Sequence, residues 1–148
     1  MRRRASAVVV ALGVLIVGVL GGVAGAGGRP FTTTLTGAAE VPGPGDPDGS
    51  GTARVALNPG QGEVCFTITV ANITLPATAA HIHEAPVGVA GPIVVTLAPP
   101  DASGTVTGCA SDVDQEEIKE IIQHPEEYYV NVHTTDYPAG AVRGQLSK

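Results

Sequence analysis

Residues 63–70, with the sequence EVCFTITV, form the most regular stretch of the chain. Apolar and polar side chains alternate along it, and one face carries Val64, Phe66, Ile68 and Val70. The opposite face carries Cys65, Thr67 and Thr69. A period of two places successive side chains on opposite faces of a β-strand, so this stretch predicts a strand with one face in the core.

Outward from this strand, the chain consists of short alternating stretches separated by turns. It contains 20 Gly and 12 Pro, which is high for a helical protein and ordinary for an all-β one. One stretch has a helical period instead, because Asp114 with Glu117 resembles a capping box and Ile118 starts an apolar face. The predicted helix covers 114–123, and the predicted strands cover 31–36, 51–57, 63–70, 79–84, 93–97, 104–110, 128–134 and 141–146. This order predicts an all-β fold, an antiparallel Greek-key β-sandwich with one short helix.

The N-terminal residues have the features of a secretory signal peptide. Residues 2–4 are all arginine, residues 7–20 are apolar, and Ala24-Gly25-Ala26 supplies the small residues of a cleavage site. We therefore predict a signal peptide over 1–26 and a mature domain over 27–148, secreted or held in the cell envelope. The alternative is an uncleaved anchor, since residues 5–26 are just long enough to span a bilayer.

Charge and composition exclude one class of partner. Removal of the three leader arginines leaves 5 Lys and Arg against 14 Asp and Glu, a net charge of −9. Such a domain repels polyanions, and aromatic residues make up only 3% of the chain, so nucleic acid is not an expected partner. After cleavage of the signal peptide, no membrane association is expected either.

Cys65 and Cys109 are the two cysteines of the chain. In an oxidising compartment a lone pair of cysteines most often forms a disulfide, and both lie on the polar phase of their predicted strands. A soft metal ligand or a reactive thiol is the alternative, although no C-x-x-C spacing supports either.

Three histidines carry most of the chemical information. His81 and His83 flank Ile82 on a predicted strand, so both imidazoles project from one face with their Cβ atoms about 7 Å apart. His133 lies on the polar phase of 128–134, and a turn at 136–140 pairs this strand with the last one. The same polar face is predicted to carry Asn131, Arg143 and Gln145.

Two interpretations of this polar face follow. If the His81 strand approaches the hairpin, three imidazoles can bind copper or zinc and leave a fourth position open. Asn131, Arg143 and Glu84 are then the predicted supporting residues, with Glu84 or Asp136 as a fourth ligand or outer partner. In the other interpretation the same groups form a buried polar network that holds the strands together.

No catalytic motif accompanies these residues. The sequence has no G-x-S-x-G, no P-loop and no G-x-G-x-x-G fingerprint after a strand, and no carboxylate pair typical of a glycosidase stands out. The residues therefore give no positive reason to predict a hydrolase.

Two motifs resemble the CHRD domain, which is named after chordin and also occurs in secreted bacterial proteins. They are Ala80-His81-Ile82-His83 with Gly88, Gly91-Pro92, Val94-Val95 and Leu97, and Tyr129-Val130-Asn131-Val132-His133-Thr134 with Pro138, Gly140 and Arg143-Gly144-Gln145-Leu146. Leu35-Thr36-Gly37 and Glu40-Val41-Pro42 fit the opening motif of that domain. The resemblance covers residues 31–147 and implies an exported β-rich domain without an established catalytic activity.

A weaker resemblance connects the chain with copper/zinc superoxide dismutases. His81, His83, His133, Gly140 and Arg143 occur in the order of the copper-ligand strands, a later glycine and an arginine of those enzymes. By this resemblance the three histidines would be copper ligands and Arg143 an anion guide. Only His124 lies between His83 and His133, so the bridging histidine and the zinc loop have no counterpart.

The sandwich that we predict is immunoglobulin-like or superoxide-dismutase-like. The function we expect is an exported, non-enzymatic binding or structural module with a partner outside the cell or in its envelope. The alternative is a copper- or zinc-binding protein, redox-active or not, that uses His81, His83 and His133.

Overall fold

A computed structural model describes residues 28–147 as an antiparallel β-sheet of eight strands with one α-helix. The strands are β1 Arg29–Thr36, β2 Ser50–Asn58, β3 Glu63–Ala71, β4 Ala79–Glu84, β5 Ile93–Leu97, β6 Thr105–Ala110, β7 Tyr128–His133 and β8 Val142–Gln145. The helix α1 is Gln115–Gln123, and 3₁₀ turns lie at Gly37–Ala39 and Pro125–Glu127. The predicted signal peptide, residues 1–26, lies outside the described residues.

The strands follow the order β5-β4-β7-β8-β1-β2-β3-β6. This order makes two groups of four strands, joined where Thr36 of β1 pairs with Arg143 of β8. Three pairings join strands that are not neighbours in sequence: β6 with β3, β7 with β4 and β8 with β1. Long connections between antiparallel strands of this kind make a Greek-key arrangement. The predicted all-β antiparallel class is confirmed, with both layers of the sandwich drawn from one continuous sheet.

The alternating pattern of the strands explains the core. The inward residues of β3, which are Val64, Phe66, Ile68 and Val70, are all buried, and they pack with the inward residues of the other strands. The helix α1 adds Ile118 and Ile121 to the same cluster. Its N-terminus is capped as predicted, because the Asp114 carboxylate accepts hydrogen bonds from the backbone N–H groups of Glu116 and Glu117. Full burial of one such aliphatic side chain stabilises the fold by about 1.5–3 kcal/mol.

The disulfide predicted from the sequence is present. Cys65 of β3 and Cys109 of the edge strand β6 lie directly opposite each other in the antiparallel register and are bonded. The bond therefore fastens an edge strand to the interior of the sheet. It uses both cysteines of the chain, so no thiol remains free.

Loops cover much of the outer face of β4, β7 and β8, and His81 and His133 on this face are partly buried. All residues of β7 from Tyr128 to Val132 are buried, on both faces of the strand. Backbone hydrogen bonds hold two loops against this region, from Glu84 N to Pro92 O and from Ala141 N to Val132 O. Polar groups on the outer face are thus enclosed between the sheet and these loops. Within residues 28–147, no helix is both long enough and apolar enough to span a membrane.

Candidate functional site

The register of three strands brings the predicted site residues onto one face. In the ladder between β4 and β7, His81 pairs with Asn131 and His83 pairs with Tyr129. In the ladder between β7 and β8, Asn131 pairs with Arg143. Directly opposed residues of an antiparallel sheet point to the same side, so these side chains form one row across the sheet.

His81, His83 and His133 form a cluster. Each contributes one ring nitrogen to a set whose members all lie within 4.8 Å of one another. His81 Nδ1 and His133 Nε2 are 3.1 Å apart and share a hydrogen bond. The strand β4 therefore lies next to the hairpin of β7 and β8. This is the condition under which the sequence predicted that the three imidazoles meet.

Backbone carbonyls fix the orientation of two of these rings. His83 Nδ1 lies 2.9 Å from the carbonyl oxygen of Gly91, and His133 Nδ1 lies 3.1 Å from that of Pro138. A carbonyl oxygen only accepts, so the ring nitrogen facing it carries the proton. In the neutral imidazole, the Nε2 atoms of both rings are then left with a lone pair.

Burial keeps His81 and His133 uncharged. It lowers the pKa of His81 to about 4, and the neighbouring His133 and His83 lower it further. Burial also lowers the pKa of His133, against the opposing effect of the Pro138 carbonyl. Both imidazoles are therefore neutral near pH 7, which is the form that a metal ion requires.

Tyr129 and Arg143 continue the row beyond the histidines. The ring of Tyr129 stacks on His83 with 4.8 Å between centroids and 4° between planes. The guanidinium carbon of Arg143 lies 3.4 Å from the centroid of the Tyr129 ring, a cation–π contact. The Tyr129 hydroxyl accepts a hydrogen bond of 3.2 Å from the Gly91 N–H.

Arg143 is 1% exposed and donates its hydrogen bonds to the loop between β4 and β5. Its Nη1 donates to the carbonyl of Val89 at 2.8 Å, and its Nη2 donates to that of Pro86 at 3.0 Å. Gln145 supports the same loop, because its Nε2 donates to the carbonyl of Ala85 at 2.7 Å. Arg143 therefore acts as a tie that holds the 85–92 loop onto the sheet, and it does not face solvent as an anion guide would.

The remaining predicted residues are separated from the cluster. Glu84 is exposed and adjacent to His83 on the strand, so it belongs to the opposite face, where its charge acts on Tyr128 and Glu117. Asp136 accepts a hydrogen bond from Thr74 Oγ1. The structure thus brings neither carboxylate to the histidines. Asn131 does lie on the shared face, and its buried Oδ1 has no hydrogen-bond partner.

Glu40 is a buried ionisable residue next to Gly140, and the sequence interpretation did not select it as a site residue. It is 4% exposed, one of its carboxyl oxygens has no partner, and a side chain at Gly140 would collide with it. Burial raises its pKa to about 7, while the charge of Arg143 acts in the opposite direction. The sequence signal for Glu40 is its place in the opening motif, which gives no indication of burial.

We predict that Glu40→Gln removes a pH-dependent loss of stability. In the folded protein the pKa of Glu40 is raised from 4.5 to about 7, so protonated Glu40 favours the folded state. This contribution to the free energy of unfolding is complete below pH 4.5 and is lost as the pH rises through 7. At pH 8 the variant should therefore exceed the wild type by up to about 3 kcal/mol in the free energy of unfolding, and at pH 4.5 the two should agree. Urea denaturation at both pH values measures this difference.

The difference between variant and wild type isolates Glu40, because the lowered pKa of His81 affects both proteins equally. The exposed Glu120→Gln serves as the matched control and should show no such pH dependence. Equal curves for Glu40→Gln and wild type from pH 4.5 to 8 would contradict the assignment.

Fold and site together define a disulfide-bonded antiparallel β-sandwich module with a polar network enclosed on one outer face. The chain belongs to the CHRD domain family, since comparison with protein families matches residues 31–146 to the CHRD domain. Membership in this family supports a non-enzymatic module. No curated protein and no solved structure matches the chain. The resemblance to copper/zinc superoxide dismutases therefore stays a prediction.

Proposed function

We propose that this protein is an exported, non-enzymatic binding module that presents the loop at 85–92 to a partner outside the cytoplasm. The proposal rests on the hydrogen bonds that Arg143 donates to this loop. A fully buried arginine donates to two carbonyls of this loop, at Pro86 and Val89, and so holds the loop in one shape.

The loop held by Arg143 carries exposed apolar side chains. Val87 is 77% exposed and Val89 is 49% exposed, and Ile93, at the start of β5, is 52% exposed. Among the described residues, these three are the exposed large hydrophobic side chains. Grouped exposed apolar residues mark contact sites on soluble proteins, and a loop already fixed in shape loses little entropy on binding.

Export rests on two independent features of the chain. The N-terminal sequence has a basic start, an apolar run and small residues at 24–26, which is the pattern of a signal peptide. The disulfide between Cys65 and Cys109 fits an oxidising compartment, where such bonds form and persist.

Production of the full chain in a bacterial host, followed by fractionation, tests the proposal. We expect a mature protein that begins near residue 27, carries an intact disulfide and is associated in part with the cell envelope. The double variant Val87→Ser, Val89→Ser should shift the protein from the envelope to the medium, because it removes the exposed apolar contacts of the loop. The matched control Ala71→Ser, Ala98→Ser changes exposed residues outside the loop and should leave the distribution unchanged.

Two results would count against the proposal. Retention of an unprocessed chain with reduced cysteines in the cytoplasm would refute export. An identical distribution of wild type and double variant would refute the role of the loop.

A further inference from the structure

Among the described residues, four buried side-chain polar atoms have no hydrogen-bond partner, and one of them is His83 Nε2, which belongs to the histidine cluster. It is buried and has no hydrogen-bond partner, and the residue as a whole is 8% exposed. Its ring cannot turn to find one without cost, because Nδ1 is bonded to the Gly91 carbonyl and the ring is stacked on Tyr129. A buried polar group without a partner is unfavourable, and a lone pair held in this way is satisfied by a hydrogen-bond donor or by a metal ion.

Two further imidazoles lie beside His83. His81, His83 and His133 each offer one ring nitrogen to a set whose members lie within 4.8 Å of one another, and His81 Nδ1 lies 3.1 Å from His133 Nε2. Metal–imidazole bonds of about 2.0–2.1 Å require ligand nitrogens roughly 3.3 Å apart in a tetrahedral site. His81 Nδ1 and His133 Nε2 are 3.1 Å apart, which is close to this spacing, and the nitrogens of all three histidines come within 4.8 Å of one another.

The outer contacts are those that metal-binding histidines use. A ligating imidazole usually donates its other ring N–H to a carbonyl or carboxylate, which fixes the ring and the tautomer. Here the Gly91 carbonyl does so for His83 and the Pro138 carbonyl does so for His133. These loop carbonyls come from two different parts of the chain, and both aim an Nε2 atom at the cluster.

We propose that His81 Nδ1, His83 Nε2 and His133 Nε2 bind one transition metal ion, with Cu²⁺ held more tightly than Zn²⁺. Neutral imidazoles without a thiolate or carboxylate suit these two ions, and the general order of divalent affinities places copper above zinc. His81 and His133 are only partly buried, so the ion has access from solvent and a position for water.

A purely structural network explains less of the geometry. The hydrogen bond between His81 Nδ1 and His133 Nε2 satisfies those two rings without a metal. It leaves His83 Nε2 unpaired, although His83 is the most enclosed of the three histidines. A metal ion gives all three nitrogens a partner at once. Both loop carbonyls keep the N–H groups that they accept, and the proton of His81 moves from Nδ1 to Nε2 so that Nδ1 can bind the ion.

Isothermal titration of the untagged protein with Cu²⁺ and with Zn²⁺, at micromolar concentrations, tests the site. We expect one ion per chain and a higher affinity for copper. His83→Ala should weaken binding by more than the roughly 10–100-fold that loss of an outer-shell contact costs. His124→Ala is the matched control, because His124 lies at the end of α1 outside the cluster, and it should leave the affinity unchanged.

Electron paramagnetic resonance of the Cu²⁺ form gives a second readout that does not depend on affinity. The spectrum should show coupling to three imidazole nitrogens in the wild type and to two in His81→Ala, which alters a partly exposed residue and so preserves the fold. Absence of binding by the wild-type protein, or equal affinity of wild type, His81→Ala and His83→Ala, would overturn the proposal. Neither outcome affects export or the loop, so failure of the metal site leaves the proposed function to be judged separately.

Discussion

Arg143→Ala should lower the free energy of unfolding by about 3–5 kcal/mol, because it removes a fully buried cation and the hydrogen bonds that it donates. The carbonyls of Pro86 and Val89 would lose their donor, and the ring of Tyr129 would lose the guanidinium stacked on it. Buried polar atoms left unpaired, together with the cavity left by the side chain, account for the size of the effect. Urea denaturation monitored by circular dichroism measures the loss.

Arg143→Lys separates the charge from the geometry of the guanidinium. Lysine keeps the cation but lacks the planar fork that reaches two carbonyls at once, so we expect a loss about half as large. Arg54→Ala is the matched control, since Arg54 is exposed on β2 and should change stability by less than about 0.5 kcal/mol. Equal stabilities for Arg143→Ala and Arg54→Ala would show that the hydrogen bonds from Arg143 to the 85–92 loop do not contribute to the free energy of unfolding.

The sequence predicts most of the fold because the core is built by alternation. In β3 the residues Val64, Phe66, Ile68 and Val70 occupy every second position, and all four are buried. The short helix is predictable for a related reason, since Asp114 caps it and Ile118 and Ile121 face the core. These signals are local, so they can be recognised in the sequence without knowing which strands pair.

The clustering of His81, His83 and His133 can be predicted from the sequence only in part. The phase of His81 and His83 and the turn at 136–140 define which face each residue takes, and the ladders agree with that phase. The pairing of β4 with β7 is a contact between strands far apart in sequence, and no local pattern specifies it. The same phase rule separates Glu84 from the cluster, because neighbouring residues of a strand point to opposite faces.

The covering of the polar face could not be predicted. Arg143, His83 and His133 each bond to a backbone carbonyl of a covering loop. A carbonyl is present at every residue, so the sequence does not identify which one is used. Glu40 shows the same limit. A glutamate in a loop is normally exposed, and the chain at Gly45 and Gly140 packs against this one.

Removal of the disulfide through Cys65→Ser with Cys109→Ser should lower the free energy of unfolding by about 4 kcal/mol, because the bond closes 44 residues of chain and restricts the unfolded state. The double variant should still fold, since β6 keeps its ladder with β3 and the hydrogen bond between Thr67 and Thr107. Hydrogen exchange should rise mainly in β6, the edge strand that the bond fastens. The control Thr67→Val with Thr107→Val alters the neighbouring pair and should cost less than about 1 kcal/mol. Unchanged stability of the cysteine variant in urea would mean that β6 is held by its ladder alone.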